Sequence, residues 1–160
     1  MMSQIRSFFG FKRQYAVVGA TKNTSKFGFK ILTWYINHDL PVVPINPKEE
    51  EICGEVVVNS VKPLVLALVE NQDLPGHQLS AADGLSILFL TPPRITRQTL
   101  EDISSVPGFE TVIKGLWFQP GSYDQAVLDK AEEIGLSDRA IHEDECILVR
   151  GEAGLSSANL

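Results

Sequence analysis

The sequence predicts an α/β fold: a Rossmann-like, doubly wound, mainly parallel sheet in three layers. Three observations predict it. Short, consecutively apolar runs alternate with segments of helical periodicity. Runs that are apolar on both faces suit strands covered by helices above and below. The runs also end in loops rich in Gly, Pro, Asn, Ser and Thr, at the end where such sheets open toward ligands.

The elements follow in order. Residues 1–14 read as an N-terminal arm or short helix that packs Phe8, Phe9 and Phe11 on the domain. They also carry Arg6, Lys12 and Arg13 and no acid, as weak organellar targeting signals do. Residues 15–18 form the first strand, closed by Gly19. A polar loop leads to a helix capped by Thr24 or Ser25. Its Phe27, Ile31, Trp34, Tyr35 and His38 recur at helical spacing and form the face toward the sheet. Residues 40–45 are the second strand, and residues 55–59 read as a short third one. Within 60–84, the run that begins at Pro63 suits helix or strand, and a surface loop follows it.

Residues 85–90 are a strong strand, stopped by Pro92 and Pro93. Helical spacing resumes through Ile95, Leu100, Ile103 and Val106. Residues 111–118 are the next strand. Ser122 and Gln125 read as a capping box for a helix carrying Ala126, Val127, Ala131 and Ile134, with Gly135 at its C-terminal end. The last strand falls within 140–142 and 146–149. The domain then spans 15–150, and residues 151–160 read as a flexible tail.

With 160 residues, the chain suits one domain. Its 44% apolar and 21% charged residues are the balance of a soluble globular protein. No apolar run approaches the ~20 residues that cross a bilayer, so no membrane partner is expected. The net charge of −6 is concentrated in residues 124–145, which hold eight acids against two bases. A broad basic footprint is missing, which argues against nucleic acid as a partner. Cys53 and Cys146 are far apart, with no CxxC or Cys/His cluster to bind zinc. They read as reduced core thiols of an intracellular protein. The cytoplasm is the expected compartment, with the mitochondrion as the alternative suggested by the basic N-terminus.

The strand ends carry the candidate site. After the first strand, Gly19 turns the chain, and Ala20 leads into a loop that ends at Phe27. The first N–H groups of the following helix attract an anion. Thr21 and Ser25 add hydroxyl donors, Lys22 and Lys26 add charge, and a diphosphate fits. The dinucleotide fingerprint G-x-G-x-x-G is missing; only Gly19 and Gly28 are present, with Gly28 suited to close helix–strand packing. At the second strand end, an NAD site would place a carboxylate for the ribose. Here stand Asn46, Pro47 and Lys48, which suit a phosphorylated ribose: the 3′-phosphate of coenzyme A or the 2′-phosphate of NADP. Thr91, Pro92 and Pro93 offer a rigid wall with one hydroxyl, and Gln119, Pro120 and Gly121 a close backbone approach. His38, His77 and His142 fall at no ligand-facing strand end, and no Ser/His/Asp grouping or GxSxG elbow occurs, so no catalytic residue is assigned.

In order, YAVVGATKNTSKFGFKIL, LPVVPINPKEEEICGE, LFLTPPRIT, GLWFQPGSYDQAVLDKAEEIGL and CILV resemble the CoA-binding domain family. That family shares its fold with the N-terminal domain of the succinyl-CoA synthetase alpha subunit. The resemblance spans about residues 15–149, and its specific phrases are NP after the second strand and WFQPGSYD. TPP and QPG look like a eukaryotic, fungal branch. The resemblance implies coenzyme A or an acyl-CoA as ligand, with the diphosphate against residues 19–26 and the adenosine end near Asn46, Pro47 and Lys48. The strand ends at 91–93 and 119–121 would line the remainder. Family members of this size mostly have no assigned reaction. The expectation is therefore a non-catalytic carrier or regulatory module, partnered by a second copy or a larger enzyme. The alternative is an NADP-dependent oxidoreductase or a subunit of an acyl-CoA-processing enzyme. Two departures stand out: residues 60–84 look longer than in compact members, and Glu145 precedes Cys146 where many bacterial members have an Arg.

Overall fold

The computed structural model describes residues 1–158. In chain order its first elements are α1 (Met2–Phe8), β1 (Arg13–Val18), α2 (Phe27–Asn37), β2 (Val42–Ile45), β3 (Glu51–Ile52), β4 (Glu55–Val56) and α3 (Val61–Val69). Then come β5 (Gly84–Phe89), α4 (Pro93–Ser104), α5 (Phe109–Val112), β6 (Ile113–Phe118), α6 (Gln125–Glu133), β7 (Ala140–Ile141) and α7 (Ile147–Ser157).

The main sheet is parallel, in the order β2-β1-β5-β6-β7. Beyond β2, Val58 makes one parallel bridge to Ile45: its N–H donates to Pro44 O at 3.1 Å, and its carbonyl accepts from Asn46 N at 3.2 Å. With Val58 counted as a rudimentary strand, the order becomes the 3-2-1-4-5-6 of doubly wound nucleotide folds. The third strand expected over 55–59 thus shrinks to a single bridge. The chain just before it folds into the antiparallel hairpin β3–β4. Cys53 (φ 53) and Gly54 (φ 80) form that hairpin's turn, both in the positive-φ region that two-residue hairpins use. Cys53 is therefore exposed, not a core thiol.

Strand alternation sends successive side chains to opposite faces. Ala16, Val18, Ile87 and Phe89 meet Leu64 of α3, Leu100 and Ile103 of α4, and Val127 of α6. Tyr15, Val17, Leu88 and Trp117 meet Ile5 and Phe8 of α1, Ile31 and Tyr35 of α2, and Ile147 of α7. Two separate cores on one sheet make the three layers. Phe8 and Phe9 join the second core, whereas Phe11 is 74% exposed.

The ambiguous run from Pro63 is helix α3. Proline is tolerated there because first-turn N–H groups have no helical partner. Residues 146–149, expected as strand, and 151–157, expected as flexible tail, instead supply the start and body of α7, which packs on α1. Residues 159–160 lie outside the described residues. Small residues permit close packing on α1 and on α2: a Cβ on Gly154 would sit 2.6 Å from Ile5 Cγ2 of α1, and one on Gly151 2.6 Å from Trp34 Cζ2 of α2. The expected capping box is not formed. Asp124 caps α6 by accepting from Val127 N at 3.0 Å, while Ser122 Oγ donates to Gln119 O at 2.8 Å. No helix of the described residues is long and apolar enough to cross a membrane.

Candidate functional site

Strand order reverses between β1 and β5. Helix α2 leaves β1 toward one face and α4 leaves β5 toward the other, so the carboxyl ends of these strands are left uncovered. A cleft of about 600 Å³ opens there. The loop after β1 lines it with Gly19, Ala20, Thr21, Ser25, Lys26, Phe27 and Gly28. Asn46, Leu90, Thr91, Pro92 and Pro120 complete it from the other strand ends.

Two glycines shape this mouth. Gly19 has φ 102, and a Cβ on it would meet Leu90 Cβ at 3.0 Å. A Cβ on Gly28 would lie 2.2 Å from the Gly19 carbonyl oxygen, so the first turn of α2 is pressed against the end of β1. Neither Thr24 nor Ser25 caps α2. Its N-cap position is Lys26, and among the described residues no side chain bonds to its first-turn amides. The expected cap fails because Asn23 Oδ1 engages Ser25, accepting from its N–H at 3.0 Å and its hydroxyl at 2.6 Å. The loop is thus braced within itself, and the Phe27 and Gly28 amides at the start of α2 are left for an anion, while Phe29 N donates to Lys26 O at 3.1 Å. Phe27, expected on the sheet-facing side, is 58% exposed at the rim.

A second, narrower cleft of about 230 Å³ continues from the first, sharing Gly19 and Thr91. Val18, Ile45, Pro47, Val61 and Ile95 give it apolar walls. Asn59, Ser60, Lys62, Gln98, Thr99 and Asp102 give it a polar rim. Lys62 enters no ion pair among the described residues. Sequence reasoning missed this cleft. Its one legible signal was the i, i+3, i+4, i+7 spacing of Ile95, Gln98, Thr99 and Asp102, a second stripe on α4 beside the core stripe of Leu100 and Ile103.

Several expected site residues are employed elsewhere. Asn46 lines the first cleft, yet its carboxamide is already bonded: Nδ2 donates to Ala20 O at 2.9 Å, and Oδ1 accepts from Lys48 N at 2.8 Å and Glu49 N at 3.0 Å. It braces two loops and has little left to read a ribose. Lys22 pairs with Glu49 at 3.0 Å and lines neither cleft. Lys48 is exposed and also lines neither. Gln119 is buried: its Oε1 accepts from Ile147 N at 2.8 Å and its Nε2 donates to Cys146 Sγ at 3.3 Å, which fixes the start of α7 to β6. Pro93 and Gly121 likewise fall outside both clefts, Pro93 because it forms the first turn of α4. Thr91 lines both clefts, although its hydroxyl is 2.9 Å from that of Thr96.

The three histidines lie outside the residues lining either cleft. His38 contacts Trp34 O and Glu152, His77 contacts Val56 O, and His142 lies beside the Tyr123 ring. The groups with displaced pKa values are also elsewhere. Burial pushes the phenols of Tyr15 and Tyr35 up, and the hydrogen bond from Lys130 holds Glu101 below its usual range. The arrangement suits binding of an elongated ligand: an anion at the start of α2 and a flat apolar group between Pro47 and Ile95.

Comparison with known proteins gives the family and the fold. A family model described as a CoA binding domain matches residues 13–152. A conserved hypothetical protein from Pyrococcus furiosus is 29% identical, with a TM-score of 0.65 over 86% of this chain and 98% of its own. A hypothetical protein from Pyrococcus horikoshii is 22% identical, with a TM-score of 0.68 over 97% of this chain and 92% of its own. A protein from Thermus thermophilus is 20% identical, with a TM-score of 0.68 over 96% and 98%. The last two share the fold. No curated protein matches the sequence.

Proposed function

Since the chain belongs to the CoA-binding domain family, we propose that it binds coenzyme A or an acyl-CoA across the two joined clefts, as a carrier or regulatory module with no reaction of its own. The observation that carries this reading is the continuity of the two clefts through Gly19 and Thr91. One part offers helix amides and Lys26 to a diphosphate, and the other offers apolar walls to adenine. The diphosphate lies against residues 19–26, the loop that the sequence pointed to, and against the first turn of α2. The adenosine end enters the slot bounded by Pro47 and Ile95, and Lys62 replaces Lys48 as the cation for the ribose phosphate. The pantetheine arm leaves past Phe27 and Pro120.

The positions of the histidines, all away from the clefts, support a binding role over catalysis. The phrases TPP and QPG support a eukaryotic, fungal-like branch of the family. Calorimetric titration with CoA, dephospho-CoA, NADP and NAD tests the reading. CoA is expected to bind most tightly, with dephospho-CoA weaker. Tight NADP binding with none to CoA would replace this reading with an oxidoreductase.

A further inference from the structure

We infer that Asp102, oriented by Gln98, recognises the exocyclic amino group of adenine, so that the protein discriminates the base of its ligand as well as its phosphates. The inference rests on the proposed CoA site and adds a residue that reads the nucleobase. Both side chains lie on the stripe of α4 that faces the narrow cleft. Gln98 Nε2 donates to Asp102 Oδ1 at 3.0 Å. The second carboxylate oxygen has no hydrogen-bond partner among the described residues, and Gln98 keeps a second N–H. Together they present a donor beside an acceptor. Adenine shows the complement on either edge: its N6 amino group donates, and ring N1 or N7 accepts.

The position fits as well. Asp102 is seven residues beyond Ile95, or about 10 Å along the helix at 1.5 Å per residue. Ile95 stands near the strand ends, where the diphosphate is held, and Asp102 stands at the far end of the slot. A base between Pro47 and Ile95 directs its amino edge along the helix toward Asp102. Asp102 is half-buried on the rim of the cleft, and a bound base covers it further, so a base that lacks the donor forgoes a hydrogen bond to a charged group.

The test uses CoA and its 1,N6-etheno derivative, in which the amino group is lost, with the full-length protein and its Asp102→Ala and Gln98→Ala variants. The wild type is expected to prefer CoA by roughly tenfold or more, the size of a hydrogen bond to a charged group. In Asp102→Ala, CoA binding falls to the level of the etheno derivative and the preference disappears. Gln98→Ala reduces the preference in part. CoA binding with an unchanged preference in Asp102→Ala would overturn the role of Asp102 alone, because steric exclusion would then explain the discrimination. Failure of the wild type to bind CoA at all would overturn this inference together with the proposed site. Circular dichroism checks that both variants are folded.

Discussion

At the amino end of the sheet, polar groups are turned inward and bonded. Arg13 is buried, and its Nη1 donates to Ser7 O at 3.0 Å, Phe8 O at 2.9 Å and Ser86 Oγ at 3.1 Å, while its Nε reaches Asp83 at 2.9 Å. That one guanidinium closes the end of α1 over β1 and β5. At the carboxyl end, α2 and α4 begin without side-chain caps among the described residues, and two glycines keep the crevice between them narrow and open. The same five strands thus have a stapled end and an open end. Folding needs polar satisfaction at the first, and ligand binding needs unsatisfied donors at the second.

Substitutions that separate stability from binding test this contrast. Arg13→Met has the largest expected effect, a loss of about 3 kcal/mol, because two carbonyls at the end of α1 and the Ser86 hydroxyl of β5 lose a charged donor. Denaturant unfolding measures it, and CoA affinity of the folded protein should stay the same. A loss well under about 1 kcal/mol would show that the staple is incidental. Gly28→Ala comes next. Alanine ordinarily favours a helix, but here its Cβ meets backbone at Gly19 O. The expected cost is about 2 kcal/mol by overpacking, with CoA binding lost as α2 is pushed from β1.

Lys62→Ala should weaken CoA by about 1–2 kcal/mol and leave dephospho-CoA nearly unchanged, whereas Lys48→Ala should alter neither. The smallest effect belongs to an ion pair between the buried Lys130 and the exposed Glu101. Lys130 donates to Glu101 and lowers its pKa from 4.5. A carboxylate lowered on folding stabilises above its unfolded pKa, and that contribution is lost as pH falls through the lower folded value. Glu101→Gln should therefore lower stability slightly at neutral pH, leave it nearly unchanged at the acid limit, and so flatten the acid side of the stability–pH curve. Thermal unfolding between about pH 3 and pH 6 checks this.

The sheet was legible because its strands are buried on both faces and read as apolar runs. The loop after β1 was legible because Gly19 and Gly28 announce a close approach. What the sequence did not disclose depended on partners distant in the chain. Asn46 and Gln119 looked like ligand readers at strand ends, but they are bonded to Ala20 and to Ile147, contacts separated by 26 and 28 residues. Ser122 and Gln125 matched a capping pattern, but Asp124 took the cap. Residues 151–157 read as a flexible tail because their partners, Ile5 of α1 against Gly154 and Trp34 of α2 against Gly151, are far away in the chain. The narrow cleft escaped because α4 carries two stripes, and only the strongly apolar one draws attention in a sequence.

A crystal structure of the protein grown with CoA tests the open end of the sheet as the ligand site. The expected density places the diphosphate within hydrogen-bonding distance of the first-turn amides of α2, with adenine between Pro47 and Ile95. CoA bound elsewhere, with both clefts vacant, would contradict that placement.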